Sequence, residues 1–311
     1  MTSTTVMGTT ELSTPELSTS DDTAGGEPGF ERIGVVGSGI MGAGLAEVAA
    51  HAGCDVVVRS RSPASAACLL AAVRSSLDRQ VRRGVLDDDA RTRSLARVRV
   101  TDDLGELEAC DLVIESVVED LDVKKALFRE LDRLVAPDAV LATNTSTFPV
   151  VELAVQTGRP DRVCGLHFFN PAPAMRLVEI VRPLTASDDT VAAVHAFALR
   201  CGKDPVVVAD RAGFVVNALL FPYLNNAVRM LETGTASMED IDAAMRNGCN
   251  FPMGPFALLD LVGLDTSLSI LDALHTEFRD PNYAAVPTLR RMVAAGRLGR
   301  KVKRGFYSYD R

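Results

Sequence analysis

Ile33-Gly34-Val35-Val36 is a short buried-strand pattern, Gly37-Ser38-Gly39-Ile40-Met41-Gly42 follows it at once, and Leu45 to Ala52 continues with helical spacing. Strand, glycine turn and helix in that order constrain the chain more than any other stretch, because together they form the start of a dinucleotide-binding unit. Gly37 allows the tight turn, Gly39 lets the backbone approach a pyrophosphate, and Gly42 lets helix and strand pack closely. Amides at the helix N-terminus then hold the anion. A second strand, Asp55 to Val58, ends where such folds place an acidic residue to hold the adenosine ribose hydroxyls, but here the chain reads Arg59-Ser60-Arg61. A carboxylate repels a ribose phosphate, whereas two guanidiniums flanking a hydroxyl grip one through forked, charge-assisted hydrogen bonds. The implied cofactor is NADP(H), with Gly37, Ser38, Gly39, Ile40, Met41, Gly42, Arg59, Ser60 and Arg61 as its candidate contacts.

Strand and helix patterns alternate from there. Pro63 to Arg83 is helical, Gly84 to Ala96 supplies the second helix of a hairpin, and Val98 to Val100 returns as a strand. Asp111 to Ser116, Val140 to Thr143, Val163 to Leu166, Leu177 to Val181 and Pro205 to Val208 are further strands, with helices over Val123 to Leu134 and Asp188 to Cys201. This predicts an α/β fold, a Rossmann-type, doubly wound and mainly parallel sheet, spanning residues 30–211. From Phe214 onward the spacing is helical almost to the end, with Ser237 and Asp240 marking a helix N-cap, so residues 212–311 read as a separate all-helical domain. Its apolar positions, including Leu219, Leu220, Leu224, Val228 and Leu231, exceed the needs of one small domain, which implies burial in a homodimer. Residues 1–29 are rich in Ser and Thr, lack any hydrophobic period and read as a disordered tail.

The chain has 311 residues, a formal charge of -8 and no run of 18 apolar residues, which excludes a membrane span and disfavours nucleic acid or anionic lipid as a partner. Neither a secretory signal nor a transit peptide is visible. The six cysteines are scattered without metal-ligand spacing, so no metal is expected and a reducing, cytoplasmic setting follows.

Hydride transfer to a ketone creates an alkoxide that needs a proton, so the site requires an acid that titrates near neutrality. Of the four histidines, His51, His195 and His275 fall within helices, whereas His167 ends a predicted strand in Gly165-Leu166-His167-Phe168-Phe169-Asn170-Pro171, where an open sheet faces its ligand crevice. Glu179 in the next strand can pair with the imidazole and fix its tautomer.

With these residues in place the chain resembles an L-3-hydroxyacyl-CoA dehydrogenase of the 3-hydroxybutyryl-CoA dehydrogenase type, from about Phe30 to the C-terminus. The matching motifs are Gly37 to Gly44, Glu115 to Lys124, Asn144-Thr145-Ser146, His167 to Pro171 through Glu179, Gly213 to Asn217, and Pro252-Met253-Gly254-Pro255. The resemblance implies an acyl-CoA substrate, His167 as general acid and base, Glu179 as its orienting partner, Ser146 on the C3 oxygen and Asn217 reaching in from the helical domain, which in this family dimerises and closes over the substrate. Ser116, Glu119, Lys124 and Asn144 match positions lining the nicotinamide half of the cofactor, although Glu119 and Lys124 could equally form a surface pair. For coenzyme A phosphates the candidates are Arg79, Arg82 and Arg83 with Ser76 nearby, in a place where the family offers lysines; a solvated helix face would carry the same arginines. Asn170 is a further candidate substrate contact. Ser60 in place of an acid sets the chain apart, so the NAD preference usual in the family does not carry over.

The reading is an NADP(H)-linked 3-hydroxyacyl-CoA dehydrogenase of short-chain substrates, working reductively. Another 3-hydroxy acid or a carrier-protein-bound acyl group would need the same hydride chemistry. A non-catalytic dinucleotide sensor or structural dimer would show decay of the catalytic set, and none is visible.

Overall fold

The computed structural model describes residues 29–310, so the tail expected over residues 1–29 lies, except for Gly29, outside the described residues. Eight strands form one sheet: β1 (Arg32–Val36), β2 (Asp55–Arg59), β3 (Val98–Thr101), β4 (Leu112–Glu115), β5 (Val140–Thr143), β6 (Val163–Phe168), β7 (Leu177–Arg182) and β8 (Asp204–Ala209), in the order β3-β2-β1-β4-β5-β6-β7-β8. Every described pairing is parallel except β6 with β7. The strand order reverses beside β1, which opens a crevice at the carboxyl ends of β1 and β4, where this architecture binds ligands.

The central strands are covered on both faces and are apolar along most of their length, as Val35, Leu112, Val113 and Leu141 show by complete burial, with polar side chains such as Glu115, Thr143 and His167 toward their carboxyl ends. One face packs against α1 (Ile40–His51), α2 (Pro63–Arg82), α3 (Asp88–Ala96) and, further along the chain, the Asp188–Arg200 helix. On the other face lie α4 (Leu121–Leu134) and α5 (Val151–Ala154), with Phe128 and Leu131 as the buried stripe of α4. Asp120 caps α4 by accepting from the Val123 amide at 3.0 Å. The excursion starts its second helix later than Gly84, because Asp87 accepts from the Ala90 amide and fixes the N-cap there.

After the Asp188–Arg200 helix, α6, come α7 (Val216–Glu232), α8 (Met238–Gly248), α9 (Pro255–Val262), α10 (Leu264–Phe278) and α11 (Pro287–Ala294), packed around Phe221, Phe256, Leu271 and Leu274. Ser237 does cap α8, accepting from the Asp240 amide at 3.1 Å. The helical spacing read almost to the terminus ends at Ala294. Beyond it Gly296 and Gly299 take positive φ, and residues 299–308 fold back through bridges to Arg304. Buried Asp260 holds that return, accepting from the Phe306 and Tyr307 amides at 2.9 and 2.8 Å. The apolar surplus on α7 is smaller than expected: Leu224 and Val228 fill the domain's own core, Leu220 and Leu231 pack against it, and Leu219 alone of the five is exposed. No described helix is long and apolar enough to cross a membrane, and no described group of three His, Cys, Asp or Glu side chains could hold a metal.

Candidate active site

The antiparallel β6–β7 pairing puts His167 directly opposite Glu179. His167 is 6% exposed, and its Nδ1 lies 2.8 Å from Glu179 Oε2. The other carboxylate oxygen, Oε1, accepts the Val215 and Val216 amides at 3.0 Å each. Those amides open α7, whose N-cap residue Val215 has no side chain able to cap; Glu179 supplies the missing acceptor from the sheet. Burial alone would push the Glu179 carboxyl up, but the bonds from His167, Val216 and Val215 outweigh it and hold it below the usual carboxylate value. An ionised carboxylate only accepts, so Nδ1 carries the proton and Nε2 is left for chemistry. Phe169 and Phe214 flank the imidazole, with ring centroids 4.5 and 5.5 Å away. Asn217 follows in the first turn of α7 and is buried.

Asn144 and Ser146 sit on the turn after β5. Asn144 Oδ1 accepts the Phe168 amide at 2.8 Å, which joins this turn to the strand end carrying His167. Glu119 organises the rest: it accepts from the Thr145 hydroxyl, the Thr147 hydroxyl at 2.9 Å and the Ser146 amide at 3.4 Å. The Ser146 hydroxyl has no partner among the described hydrogen bonds. Lys124 does pair with Glu119, but from the interior: it is 1% exposed, and its ammonium joins Glu115 at 2.7 Å and Glu119 at 3.1 Å.

A cavity of 730 Å³ lies over the glycine turn, lined by Gly37, Ser38, Gly39, Ile40, Met41, Arg59, Arg61 and Ser116, with Val117, Val118 and Leu127 supplying apolar wall. A Cβ on Gly37 would lie 2.2 Å from Ser116 O and one on Gly42 2.0 Å from Gly37 O, whereas one on Gly39 would meet nothing within 4 Å. Gly39 is therefore the open cradle, and as N-cap of α1 it leaves the first-turn amides without a side-chain cap. Arg59 Nε is buried with no hydrogen-bond partner, a donor in want of an acceptor beside this cavity. These features fit a dinucleotide. Ser60 departs from its expected place: it is 1% exposed, is not on the cavity wall, and its hydroxyl bonds Ser38, Ser65 and the Ser62 carbonyl.

The excursion is more divided. Ser76 turns inward and donates to Glu47 at 2.9 Å, so its hydroxyl serves α1 rather than a ligand. Arg79, Arg82 and Arg83 lie exposed on α2 and the residue after it, Arg79 donating to Ser75. Asn170 is exposed at the start of the turn after β6. Two residues were not singled out from the sequence. Buried Lys203 grips that turn through the Ala172 and Met175 carbonyls at 2.6 and 2.9 Å, and Ser65 lines the cavity beside the arginines. Nothing in the sequence marks Lys203, but Ser62-Pro63, an N-cap followed by proline, is a signal that places Ser65 in the first turn of α2.

Two family descriptions cover the described chain: 3-hydroxyacyl-CoA dehydrogenase, NAD binding domain, over residues 32–211, and 3-hydroxyacyl-CoA dehydrogenase, C-terminal domain, over residues 213–309. A Mycobacterium tuberculosis protein named 3-hydroxybutyryl-CoA dehydrogenase is 49% identical over 268 residues, covering 86% of this chain and 94% of that one. The human mitochondrial hydroxyacyl-coenzyme A dehydrogenase is 40% identical over 273 residues, 86% of this chain and 87% of its own length. The crystal structure of (S)-3-hydroxybutyryl-CoA dehydrogenase PaaH1 from Ralstonia eutropha superposes with a TM-score of 0.88 at 43% identity, covering 91% of this chain and 100% of that one.

Proposed function

Since the chain belongs to the 3-hydroxyacyl-CoA dehydrogenase family, we propose that it interconverts 3-oxoacyl-CoA and (S)-3-hydroxyacyl-CoA of short chain, acetoacetyl-CoA and 3-hydroxybutyryl-CoA, with NADP(H) and chiefly by reduction. The observation that carries the catalytic reading is Glu179 holding His167 Nδ1 at 2.8 Å while capping α7. The relatives' names support the chain length. Arg59 and Arg61 on the cavity wall, the first with an unanswered Nε, support a cofactor bearing a ribose phosphate, in departure from the NAD named for the family's domain. A cytoplasmic NADP pool kept reduced favours the reductive direction.

A nicotinamide held beside Asn144 and Ser116 would supply hydride for C3 of the substrate. His167 gives its Nε2 proton to the C3 oxygen in reduction and takes it back in oxidation, and Glu179 stabilises the imidazolium in the second case. Ser146 donates to the same oxygen as charge gathers there, and Asn217 binds the substrate from the helical side. Asn144 and Ser116 hold the nicotinamide half; Glu119 and Lys124 act on that half by fixing the Asn144–Thr147 turn. Arg79, Arg82 and Arg83 meet the coenzyme A phosphates, and Asn170 the acyl thioester. We divide the chain into a dinucleotide domain over 30–211 and a substrate-closing domain over 212–311. The latter pairs two copies through exposed Leu219, Met230, Phe251 and Leu261.

The test is the nicotinamide absorbance band with acetoacetyl-CoA and either NADPH or NADH, repeated with longer 3-oxoacyl thioesters. Turnover with acetoacetyl-CoA that vanishes in His167→Ala is expected. Full turnover in that variant sinks the acid assignment, and preference for NADH in wild type sinks the cofactor.

A further inference from the structure

Behind the arginines lies a connected file of hydroxyls. Ser62 Oγ is 2.9 Å from Ser65 Oγ, Ser65 Oγ is 2.6 Å from Ser60 Oγ, and Ser60 Oγ is 2.9 Å from Ser38 Oγ. Its inner members are fixed by the fold. Ser60 follows β2, with its amide on Thr101 O at 2.8 Å, and Ser62 is the N-cap of α2, accepting the Ser65 amide. Its two outer members, Ser38 in the glycine turn and Ser65 in the first turn of α2, line the cavity with Arg59 and Arg61.

Each hydroxyl has one proton to give and two lone pairs to receive, and Ser60 is the donor to Ser38, so the file is polarised toward the cavity. Ser62 donates to Ser65, Ser65 to Ser60 and Ser60 to Ser38, leaving the Ser38 proton for the cavity. The Ser62, Ser65 and Ser60 protons each have an acceptor within the file. A carboxylate at position 60 would have only the accepting sense, which suits a ribose hydroxyl and rejects a phosphate.

We propose that Ser38, Ser60 and Ser65 form a hydroxyl relay, polarised toward the cavity, that sets dinucleotide specificity by donating to a ribose 2′-phosphate. This rests on the ribose-phosphate reading of Arg59 and Arg61 and adds a second component to it. The arginines supply the bias toward phosphate, and the relay supplies directed donors that strengthen one another when all point at the anion. Ser60 acts through Ser38 and is a positioning residue, while Ser38 and Ser65 touch the ligand.

Calorimetric titration of the full chain with 2′,5′-ADP and with 5′-AMP reads the relay without any turnover. Wild type is expected to bind 2′,5′-ADP at least about tenfold more tightly, and Ser60→Ala and Ser65→Ala to lose about tenfold for 2′,5′-ADP while 5′-AMP shifts by less than about threefold. Ser60→Thr keeps the hydroxyl and should restore the wild-type ratio, and Ser60→Asp should invert it. A wild type that does not prefer 2′,5′-ADP overturns the phosphate reading itself. A wild type that does, with Ser60→Ala and Ser65→Ala unchanged, leaves the arginines standing and overturns the relay.

Discussion

Lys124 holds Glu119 at 3.1 Å from inside the protein, and Glu119 in turn holds the Thr145–Thr147 turn that presents Ser146. The same ammonium neutralises Glu115, which is fully buried and also accepts the Thr143 hydroxyl and the Val117 amide, each at 2.7 Å. Lys124→Met removes the charge and leaves the buried Glu115 without its cationic partner. Loss of about 3–5 kcal/mol of stability is expected, the usual result of breaking a buried pair from one side. Urea unfolding of the variant checks this, and a stability within about 0.5 kcal/mol of wild type would show the pair to be dispensable.

Replacing Glu179 by Gln keeps an oxygen for the Val215 and Val216 amides but removes the charge facing His167. The protein should fold, and kcat should fall by roughly 100- to 10,000-fold, the range of a positioned general acid–base group. Steady-state kinetics alongside a melting curve separates this from unfolding. Equal losses in kcat and in folded fraction would assign Glu179 to structure alone.

The same residue sets a pH dependence of stability. Its folded pKa lies below the ordinary 4.5, so its contribution is complete above that value and is lost as pH falls through the lower folded value. Wild type should therefore be more stable than Glu179→Gln at pH 7, with the gap closing in acid below pH 4.5. Paired denaturation curves across that window measure it; a constant gap contradicts the assignment.

Glu47 behaves in the opposite sense. Burial pushes its carboxyl up against the hydrogen bonds from Ser76 and Gln80, so the stabilisation of its protonated form is present below 4.5 and lost as pH rises through the folded value. Both donors use Oε1, at 2.9 and 2.6 Å, and a glutamine keeps both. Glu47→Gln should thus gain roughly 1 kcal/mol at neutral pH, the net scale of one buried polar exchange, and nothing in acid. A variant less stable than wild type at pH 7 goes against it.

Gly39→Ala and Gly42→Ala should fail differently. A Cβ at Gly42 lies 2.0 Å from Gly37 O and must break the turn, whereas at Gly39 it meets open space and fills only the cradle. Gly39→Ala is expected to melt like wild type yet bind NADPH at least about tenfold more weakly by fluorescence titration. Unchanged affinity would move the pyrophosphate elsewhere.

Where local chemistry settles an outcome, the sequence was legible. The fingerprint read as strand, turn and helix, Ser237 as a cap, and His167 and Glu179 as partners on successive strands all appear in the structure. Some placements depended on what the fold brings together. Gly42 and Gly44 hide the periodicity of α1 before Leu45, so its true start at Ile40 was obscured. Lys124 follows an acidic stretch and looks solvated until α4 packs it over Glu115. Ser60 looked like a ligand because its tie to Ser38 spans two parallel strands, a relation no spacing encodes.

The reversal at β7 gives strand register a chemical meaning. Side chains alternate faces along a strand, so a slip of one residue between β6 and β7 would turn Glu179 away from His167 and send it to the opposite side of the sheet. The segment 169–176 joining these strands sets that register, and Lys203, rooted before β8, clasps it at Ala172 and Met175. Lys203 thus works as a pawl on the sheet, so that a lengthened or shortened connection shows first as a misplaced proton donor and only afterwards as a less stable protein.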